Sequence, residues 1–334
     1  MTSAEEAAGA FELRGSVISV QPHPTGHIND AYLVTTDRRR YLLQRLNPSV
    51  FADPDAVVAN VVAVTAFLRN KAEPTLTIVP ARDGTFSWRD HDGTSWRTYE
   101  YLEASHPLEV HCPDDAAVVG RAFGRFHRLL AEFDPASLRV SLPGFHDPRR
   151  RLAQLERAVA TDPCDRLADA SELVDTLRAV PIDTSLEDLP VRAAHNDAKA
   201  ANLLVDDIGG RPPLVVDLDT VMPGSLLWDV GDMVRSSTGT SDESTANVAF
   251  DVARFQALVS AWLAEVGHLL SDAEHRAIPR AGLVVTLEQA ARFLTDHLLG
   301  DVYFRVSRPG ENLDRARNQV QLLHSMQSVI VSQW

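Results

Sequence analysis

Short runs of alternating polar and apolar residues fill the first hundred positions of the chain, a pattern typical of β-strands. Glycine-bearing turns, RDGT and HDGT among them, separate the later runs. One longer stretch, Asp55–Arg69, has the apolar spacing of a helix, and the acidic residues up to Ala10 are predicted to form a disordered tail. The strands are predicted at Gly15–Gln21, Ala31–Thr36, Arg40–Leu46, Leu76–Val79, Thr85–Trp88 and Ser95–Tyr101.

Apolar residues recur at helical spacing through most of the remaining chain. One interruption, Leu203–Asp206 and Leu214–Val216 joined by a turn, predicts a β-hairpin inside the helical part. The helices are predicted at Pro113–Phe133, Pro148–Ala160, Arg166–Val180, Asn247–Gly267, Asp272–Gly300 and Glu311–Gln333. Strands first and helices afterwards predict an α+β fold with two lobes. These are a small N-terminal antiparallel β lobe with one helix, residues 1–103, and a larger, mainly helical C-terminal lobe, residues 104–334.

Polar side chains lie at both ends of the predicted hairpin, and the hairpin brings those ends together. Asp197, Lys199 and Asn202 precede its first strand, and Asp217 directly follows its second. Asp197 is placed to accept the proton of an attacking hydroxyl, and Lys199 to stabilise charge on a transferred phosphoryl group. Asn202 and Asp217 offer the oxygen ligands that Mg²⁺ prefers. The spacing therefore predicts phosphoryl transfer within a bilobal, protein-kinase-like fold.

Two residues beside this group keep more than one interpretation. Asp219 is either a second metal ligand or a residue of the pocket wall. His195 could be a metal ligand or a base, although no second His or Cys lies at a zinc-like spacing from it. A hairpin carrying only solvated carboxylates remains the alternative to the whole site.

The stretch HNDAKAANLLVD, followed by VVDLD, resembles the catalytic loop of the aminoglycoside phosphotransferase and choline kinase superfamily. DLDTVMPGSLLWDVGDMVR resembles the narrower N-acetylhexosamine 1-kinase branch, as do GHINDAYLV and RFLTDHLLGDVYFR. The resemblance implies ATP and Mg²⁺ as cofactors and a bilobal kinase-like fold. It also implies that His195 braces the loop and that Asp229 and Asp232, three residues apart on a predicted helix, hold the loop in place.

The turn between the first two strands, PHPTGHIND, has the position of the loop that covers nucleotide phosphates in kinases. Gly26, His27 and Asn29 are therefore candidates for cofactor contact. A polar side chain that only stabilises the turn is an equal alternative for His27 and for Asn29.

The third strand departs from the kinase pattern, because YLLQRLN has no lysine for the phosphates. Gln44 or Arg45 must occupy that place, and the sequence leaves open which of them does. The following helix also lacks the partner glutamate, with Asn60 as its polar residue. The segment TYEYLE resembles the hinge between kinase lobes, where backbone groups at Glu100 and Leu102 would bind adenine, although an ordinary edge strand is the alternative.

The late segment Arg292–Tyr303 concerns the acceptor substrate. Its resemblance to the hexosamine kinases places Arg292 and Tyr303 beside a sugar, with Asp296 assisting. The favoured function is transfer of the γ-phosphate to the anomeric hydroxyl of an N-acetylhexosamine or related hexose. The alternatives are a phosphotransferase for aminoglycosides, choline or an amino alcohol, an inactive nucleotide-binding protein, and a metal-dependent hydrolase.

Composition narrows the setting of this chemistry. The chain has 334 residues, of which 45% are hydrophobic and 23% charged, as in globular proteins with a large core. A net charge of −14 argues against nucleic acid as a partner. No apolar run approaches the roughly 18 residues of a membrane span, and no signal pattern precedes the first strand, so a cytoplasmic protein is expected. The sequence leaves the oligomeric state open.

Overall fold

An antiparallel sheet forms the N-terminal part of the computed structural model, which describes residues 3–24, 28–206, 208, 210–245 and 247–333. Its strands are β1 (Val17–His23), β2 (Asp30–Thr36), β3 (Arg40–Arg45), β4 (Ile78–Val79), β5 (Trp88–Arg89) and β6 (Ser95–Glu100). They are ordered β1-β2-β3-β6-β4, and β5 also pairs with β6. β4 and β5 are shorter than predicted because each pairs with β6 over only two residues.

The two faces of this sheet have different neighbours, because alternate residues of a strand point to opposite sides. Tyr41, Leu43 and Trp96 are buried in a core cluster with the first residues of the chain. Leu42, Leu46 and Tyr99 belong instead to a cluster that includes residues of the C-terminal part.

A helix, α1 (Ser3–Ala10), occupies the segment that was predicted to be a disordered tail. Ala4, Ala7 and Ala8 are buried along one side of it, and Phe11 behind it is fully buried. The prediction was wrong because the acidic residues of the segment lie in the first turn of a helix, where its dipole favours negative charge. The small alanines give the helix a flat apolar face that covers the outer side of the sheet.

Helix α2 (Pro54–Asn70) joins the N-terminal part to the C-terminal part. The Nδ2 of Asn60 donates to the carbonyl oxygens of Arg139, at 2.8 Å, and Val221, at 2.9 Å. The backbone N–H of Arg139 donates to Asn60 Oδ1 at 2.9 Å. A neutral amide thus attaches α2 to the segment behind the catalytic hairpin, in a helix that lacks the glutamate of protein kinases.

Helices make up most of the C-terminal part. They are α3 (Pro113–Leu130), α4 (Pro148–Thr161), α5 (Leu167–Ala179), α6 (Leu226–Ser237), α7 (Val252–Val266), α8 (Asp272–Leu298) and α9 (Glu311–Gln333). α3 packs very closely on α7 at Gly120, where a Cβ would overlap the carbonyl oxygen of Leu258. α8 ends just before Gly300, whose φ of +97° permits the chain to turn back.

The hairpin lies inside this helical part, as predicted. Its strands β9 (Leu203–Asp206) and β10 (Leu214–Val215) pair antiparallel, and β7 (Ser105–Pro107) pairs with β9 on the other side. β8 (Arg192–Ala194) pairs with β11 (Met222–Gly224) just before α6. The antiparallel N-terminal sheet and helical C-terminal part confirm the α+β, bilobal kinase-like fold class. Among the described residues, no helix is both long and apolar enough to span a bilayer.

Candidate active site

The chain takes an uncommon backbone conformation on both sides of the hairpin, in the loop after β8 and in the segment after β10. Asn196 has φ of 61° and Asp217 has φ of 56°, both in the left-handed region that few side chains adopt. The Nδ2 of Asn196 donates to three carbonyl oxygens, of Ala194 at 3.2 Å, Thr220 at 3.1 Å and Met222 at 3.2 Å. The side-chain amide of Asn196 thus joins the segments before and after the hairpin, and its hydrogen bonds offset the strain.

Asp229 on α6 fixes the same loop from behind. Its carboxylate accepts hydrogen bonds from the backbone N–H groups of His195, at 2.7 Å, and Asn196, at 2.5 Å. His127 Nε2 donates to it at 2.8 Å, and Trp262 Nε1 donates to His127 Nδ1 at 3.0 Å, which fixes the histidine tautomer. Burial would raise the pKa of Asp229, but the hydrogen bonds from His127 and from the backbone of His195 together keep the pKa below its ordinary value.

His195 acts within this arrangement as a brace. Its Nε2 donates to the carbonyl oxygen of Val216 at 2.9 Å, and its Nδ1 accepts from the backbone N–H of Asp197 at 3.2 Å. The edges of its ring pack on Phe123 and Phe126. Both nitrogens are therefore engaged, and the imidazole links the loop to the end of β10.

Asp197, Lys199 and Asn202 meet at one carboxylate oxygen. Lys199 Nζ lies 2.7 Å from Asp197 Oδ2, and Asn202 Nδ2 donates to the same oxygen at 2.8 Å. Burial alone would raise the pKa of Asp197, but the charge and hydrogen bond of Lys199 lower it to about 2. At neutral pH the carboxylate is therefore ionised and ready to accept a hydroxyl hydrogen bond.

Asp217 lies in a crowded acidic environment, which suits a cation. Burial, followed by repulsion from Asp219 and Asp197, raises the pKa of Asp217 to about 6. Because Asn202 uses Nδ2 on Asp197, its amide oxygen remains for a metal ion. The described residues contain no group of three or more His, Cys, Asp or Glu side chains arranged for a metal. The Asp217 carboxylate and the Asn202 amide oxygen nevertheless fit Mg²⁺, which takes one or two carboxylates and completes its shell with water and phosphate.

Asp219 faces the N-terminal sheet. It is 3% exposed, and Oδ2 accepts from Asn29 Nδ2 at 2.8 Å. Oδ1 lies 2.5 Å from Nη2 of Arg97, a close ion pair that lacks hydrogen-bond geometry. The predicted role of Asp219 as a metal ligand stays a prediction, since both oxygens already face N-terminal side chains.

Arg97 is a residue that the sequence interpretation missed. It lies on β6 and is 1% exposed, and its Nε and Nη2 donate to Gln44 Oε1 at 3.1 and 2.8 Å. Arg45 instead donates to Thr94 Oγ1 at 3.3 Å, and its side chain is 38% exposed. A charged residue in the middle of the strand SWRTYE, between tryptophan and threonine, was the available signal. Two other candidates, Gly26 and His27, lie outside the described residues.

The segment predicted as a hinge connects the two parts of the molecule. The N–H of Glu100 donates to the carbonyl oxygen of Thr77 at 2.9 Å, and its carboxylate accepts from Arg39 at 2.7 Å. The carbonyl of Leu102 accepts from Ser105 Oγ at 2.9 Å. The N–H of Glu100 is therefore engaged within the sheet, and the predicted contact of Glu100 with adenine stays a prediction for its carbonyl oxygen.

A pocket opens next to Asp197, on the side of α8. Its lining consists of Phe145, His146, Asp197, Asp232, Val285, Glu288, Gln289 and Arg292. The guanidinium of Arg292 lies about equally far from three aromatic rings, those of Phe145 at 5.0 Å, Tyr303 at 5.5 Å and Phe304 at 5.3 Å. It also donates to Gln289 Oε1 at 2.9 Å. The structure thus brings Arg292 and Tyr303 together beside the predicted base.

His146 is another pocket residue that the sequence interpretation did not single out. Its ring stacks on Trp228 with centroids 5.2 Å apart, and Nε2 donates to the carbonyl oxygen of Asn196 at 3.0 Å. Nδ1 lies 3.1 Å from Glu288. Burial would lower the pKa of His146, but the charge of Glu288 raises it above its ordinary value.

Asp296 anchors the loop that follows α8. Its oxygens accept from the three successive backbone N–H groups of residues 302–304, at 2.9, 2.8 and 2.9 Å, and from Asn312 Nδ2 at 2.9 Å. The predicted contact of Asp296 with substrate stays a prediction. Asp296 holds the turn that returns Tyr303 to Arg292.

Residues 19–268 match the model of the phosphotransferase enzyme family. This span begins within β1 and ends just after α7, so it includes the hairpin and the polar residues on both sides of it.

Solved structures with similar folds cover almost the whole chain. An aminoglycoside phosphotransferase from Alicyclobacillus acidocaldarius superposes with a TM-score of 0.61 at 14% identity, covering 99% of this chain and 95% of that one. A microcompartment-associated aminopropanol kinase gives 0.60 at 19% identity, covering 98% and 97%. An amicoumacin kinase, in complex with AMP-PNP, Ca²⁺ and Ami, gives 0.63 at 12% identity, covering 95% and 92%. At these identities the likeness is one of fold.

Proposed function

Because the chain belongs to the phosphotransferase enzyme family, we propose that it transfers the γ-phosphate of ATP to a hydroxyl group of a small molecule. The observation that carries this proposal is the position of Asp197. Its carboxylate meets Lys199 and Asn202 on one side and lines the pocket with Arg292 on the other. A phosphate donor and an alcohol acceptor can therefore meet at this carboxylate.

The nucleotide belongs between the two lobes, residues 1–103 and 104–334. Asn202 and Asp217 would hold Mg²⁺, which would neutralise charge on the phosphate oxygens. The crowding that raises the pKa of Asp217 supports this, because a divalent cation relieves the repulsion among Asp197, Asp217 and Asp219. The hinge carbonyl at Glu100 and the amide of Leu102 are the proposed adenine contacts.

Asp197 would orient the acceptor hydroxyl and receive its proton late in the reaction. A carboxylate with a pKa of about 2 is a weak base, so we assign most of its effect to positioning. Lys199 stays protonated beside it and stabilises negative charge on the phosphoryl group.

From the chemistry of the pocket lining, we propose that the acceptor is a neutral polyhydroxy compound, phosphorylated at the anomeric hydroxyl of an N-acetylhexosamine or related hexose. Arg292 and Gln289 offer a guanidinium and an amide for ring hydroxyls. The two further carboxylates of the pocket are compensated, since Asp232 accepts from Arg235 at 2.8 Å and Glu288 faces His146. A pocket with paired acids and an arginine does not favour a polycation.

The alternative acceptor is an amino alcohol, as in the aminopropanol kinase of similar fold. Its ammonium group would have to compete with Arg235 for Asp232 or with His146 for Glu288.

An ADP-release assay over N-acetylhexosamines, simple hexoses, aminoglycosides, choline and amino alcohols tests the proposal. We expect turnover with an N-acetylhexosamine and loss of that turnover when C1 is blocked as a methyl glycoside. Turnover with amino alcohols alone would replace the sugar assignment. ATP binding without turnover on any acceptor would indicate an inactive nucleotide-binding protein, and ATP-independent cleavage of a phosphoester would indicate a hydrolase.

A further inference from the structure

β3 has no lysine for the nucleotide phosphates. The whole sequence contains only two lysines, Lys71 and Lys199. Lys71 follows the end of α2 and pairs with Glu132, and Lys199 belongs to the catalytic loop. The N-terminal sheet must therefore use an arginine if it contacts the phosphates through a cation at all.

The register of β3 and β6 decides which arginine faces the cleft. Gln44 lies opposite Arg97, and Arg45 lies opposite Trp96. Trp96 is buried in the cluster on the outer face of the sheet, beneath α1. Since opposite residues of paired strands share a face, Arg97 and Gln44 point to the inner side, while Arg45 points to the outer side.

From this position Arg97 already contacts the metal loop, residues 217–219, which carries the proposed Mg²⁺ ligand Asp217. Its Nη2 is 2.5 Å from Asp219 Oδ1, and the other oxygen of Asp219 accepts from Asn29, at the end of the turn between β1 and β2. Asn29 Oδ1 in turn accepts from the backbone N–H of Asn47 at 3.0 Å. The strand, the turn and the metal loop therefore converge on one buried ion pair.

One donor of this group has no acceptor. Within the described residues, Nη1 of Arg97 is buried and makes no hydrogen bond. A buried charged donor without an acceptor is costly to the folded state, so a ligand oxygen is expected beside it. The carboxylates of Asp219 and Asp217 are the negative charges that act on this guanidinium, and Asp217 is the proposed Mg²⁺ ligand.

We propose that Arg97 and Asp219 form the ion pair that joins the two lobes across the phosphate site, and that Nη1 of Arg97 donates to the phosphate chain of the nucleotide. Gln44 is a positioning residue that holds the guanidinium through Nε and Nη2. In protein kinases a strand lysine and a helix glutamate form the corresponding pair. Here the cation comes from β6 and the anion from the metal loop, while Asn60 attaches the helix separately. The inference rests on the proposed use of ATP, but not on the identity of the acceptor.

Calorimetric titration with ATP, ADP, AMP and adenosine, all with Mg²⁺ and without acceptor, tests this role. For Arg97→Gln we expect the Kd of ATP to rise by roughly ten- to a hundredfold, the scale of a charged hydrogen bond. The Kd of adenosine should change by less than about twofold, because the base and ribose do not touch Arg97. Arg97→Lys keeps the charge without the fork and should lie between. The nucleotide at which the loss first appears identifies the phosphate that Arg97 contacts.

Arg89→Gln is the matched control, since Arg89 lies on the same sheet, is 49% exposed and pairs with Asp55. It should leave every affinity unchanged. Equal weakening of adenosine and ATP in Arg97→Gln would show a purely structural role and overturn the proposal. So would unchanged ATP affinity in Arg97→Gln combined with a loss in Arg45→Gln.

If Arg97→Gln does not fold, Arg97→Lys and Gln44→Leu provide the same comparison. We expect Gln44→Leu to weaken the binding of ATP but not that of adenosine, because the guanidinium of Arg97 loses the side chain that positions it. If this variant binds ATP as tightly as the parent does, or loses affinity for ATP and adenosine equally, the proposal is again overturned. If the parent protein binds ATP but turns over no acceptor, the proposed function is contradicted while this inference stands.

Discussion

A single carboxylate connects the two halves of the proposed reaction. Asp197 shares one oxygen with Lys199 and Asn202 and lines the acceptor pocket. Its low pKa, about 2, means that it stays charged over the whole physiological range. Its role is therefore defined by geometry more than by basicity.

Replacing Asp197 by Asn should lower kcat by at least about a hundredfold, the scale of general-base effects. The amide keeps the shape of the side chain but cannot accept the proton. Steady-state kinetics measure the change, and circular dichroism should show an unaltered fold. Asp92→Asn, a change at an exposed turn, is the control. Near-normal turnover in Asp197→Asn would refute the assignment.

Arg292 permits a test of the acceptor side. Arg292→Lys keeps the charge but loses the planar fork that could bind two ring hydroxyls. We expect kcat/KM for the acceptor to fall roughly ten- to a hundredfold, while the KM of ATP stays nearly constant. The control is Arg280→Lys on the same helix, whose side chain is 58% exposed. Loss of ATP affinity with intact acceptor kinetics would place Arg292 on the nucleotide side.

At the scale of elements, local patterns were predictable and distant pairings were not. The hairpin and its flanking polar residues lie within one short stretch, so their spacing alone indicated the site. His146 and Glu288 meet from positions 142 residues apart, and Asn29 meets Asp219 across 190 residues. No local spacing reports such contacts, and Arg97 was missed for the same reason. The tail that proved to be α1 shows the same limit, because its alanines become a buried face only against the sheet.

The attachment of α2 can be tested by Asn60→Leu. This change keeps an uncharged side chain but removes three hydrogen bonds and leaves the carbonyls of Arg139 and Val221 without their donor. The free energy of unfolding should fall by roughly 1–3 kcal/mol in urea titrations. Asn70→Leu, at the exposed end of the same helix, should stay within about 0.5 kcal/mol of the parent. Equal stabilities of the two variants would show that Asn60 does not anchor α2.

At the scale of the whole molecule, the fold class was predictable, because strand and helix periodicities follow from burial. Part of the pH dependence of stability follows from one buried pair, His146 and Glu288. Glu288 raises the pKa of His146 above its ordinary 6.5, and Asp232 adds to the effect. The contribution of protonated His146 to the free energy of unfolding is therefore fully present below pH 6.5. It is lost as the pH rises through the pKa of His146 in the folded state.

Urea unfolding at several pH values checks this dependence. Between pH 7 and 9 the stability of the parent should fall relative to His146→Gln, by at most about 1.4 kcal/mol for each pH unit. Asp217, with a pKa of about 6, titrates mainly below this window and is present in both proteins. Parallel stability curves for the two proteins would exclude His146 as the source.

The anchoring of the catalytic loop through Asp229 has a consequence for amide hydrogen exchange. The backbone N–H groups of His195 and Asn196 donate to a carboxylate that is itself fully buried and bonded to His127 and, through it, to Trp262 of α7. These protons lie outside any helix or strand, yet no opening of the loop alone can release them to solvent. They should therefore exchange with deuterium only when the helical part unfolds as a unit, so that an active-site loop belongs to the slowest-exchanging segments of the protein.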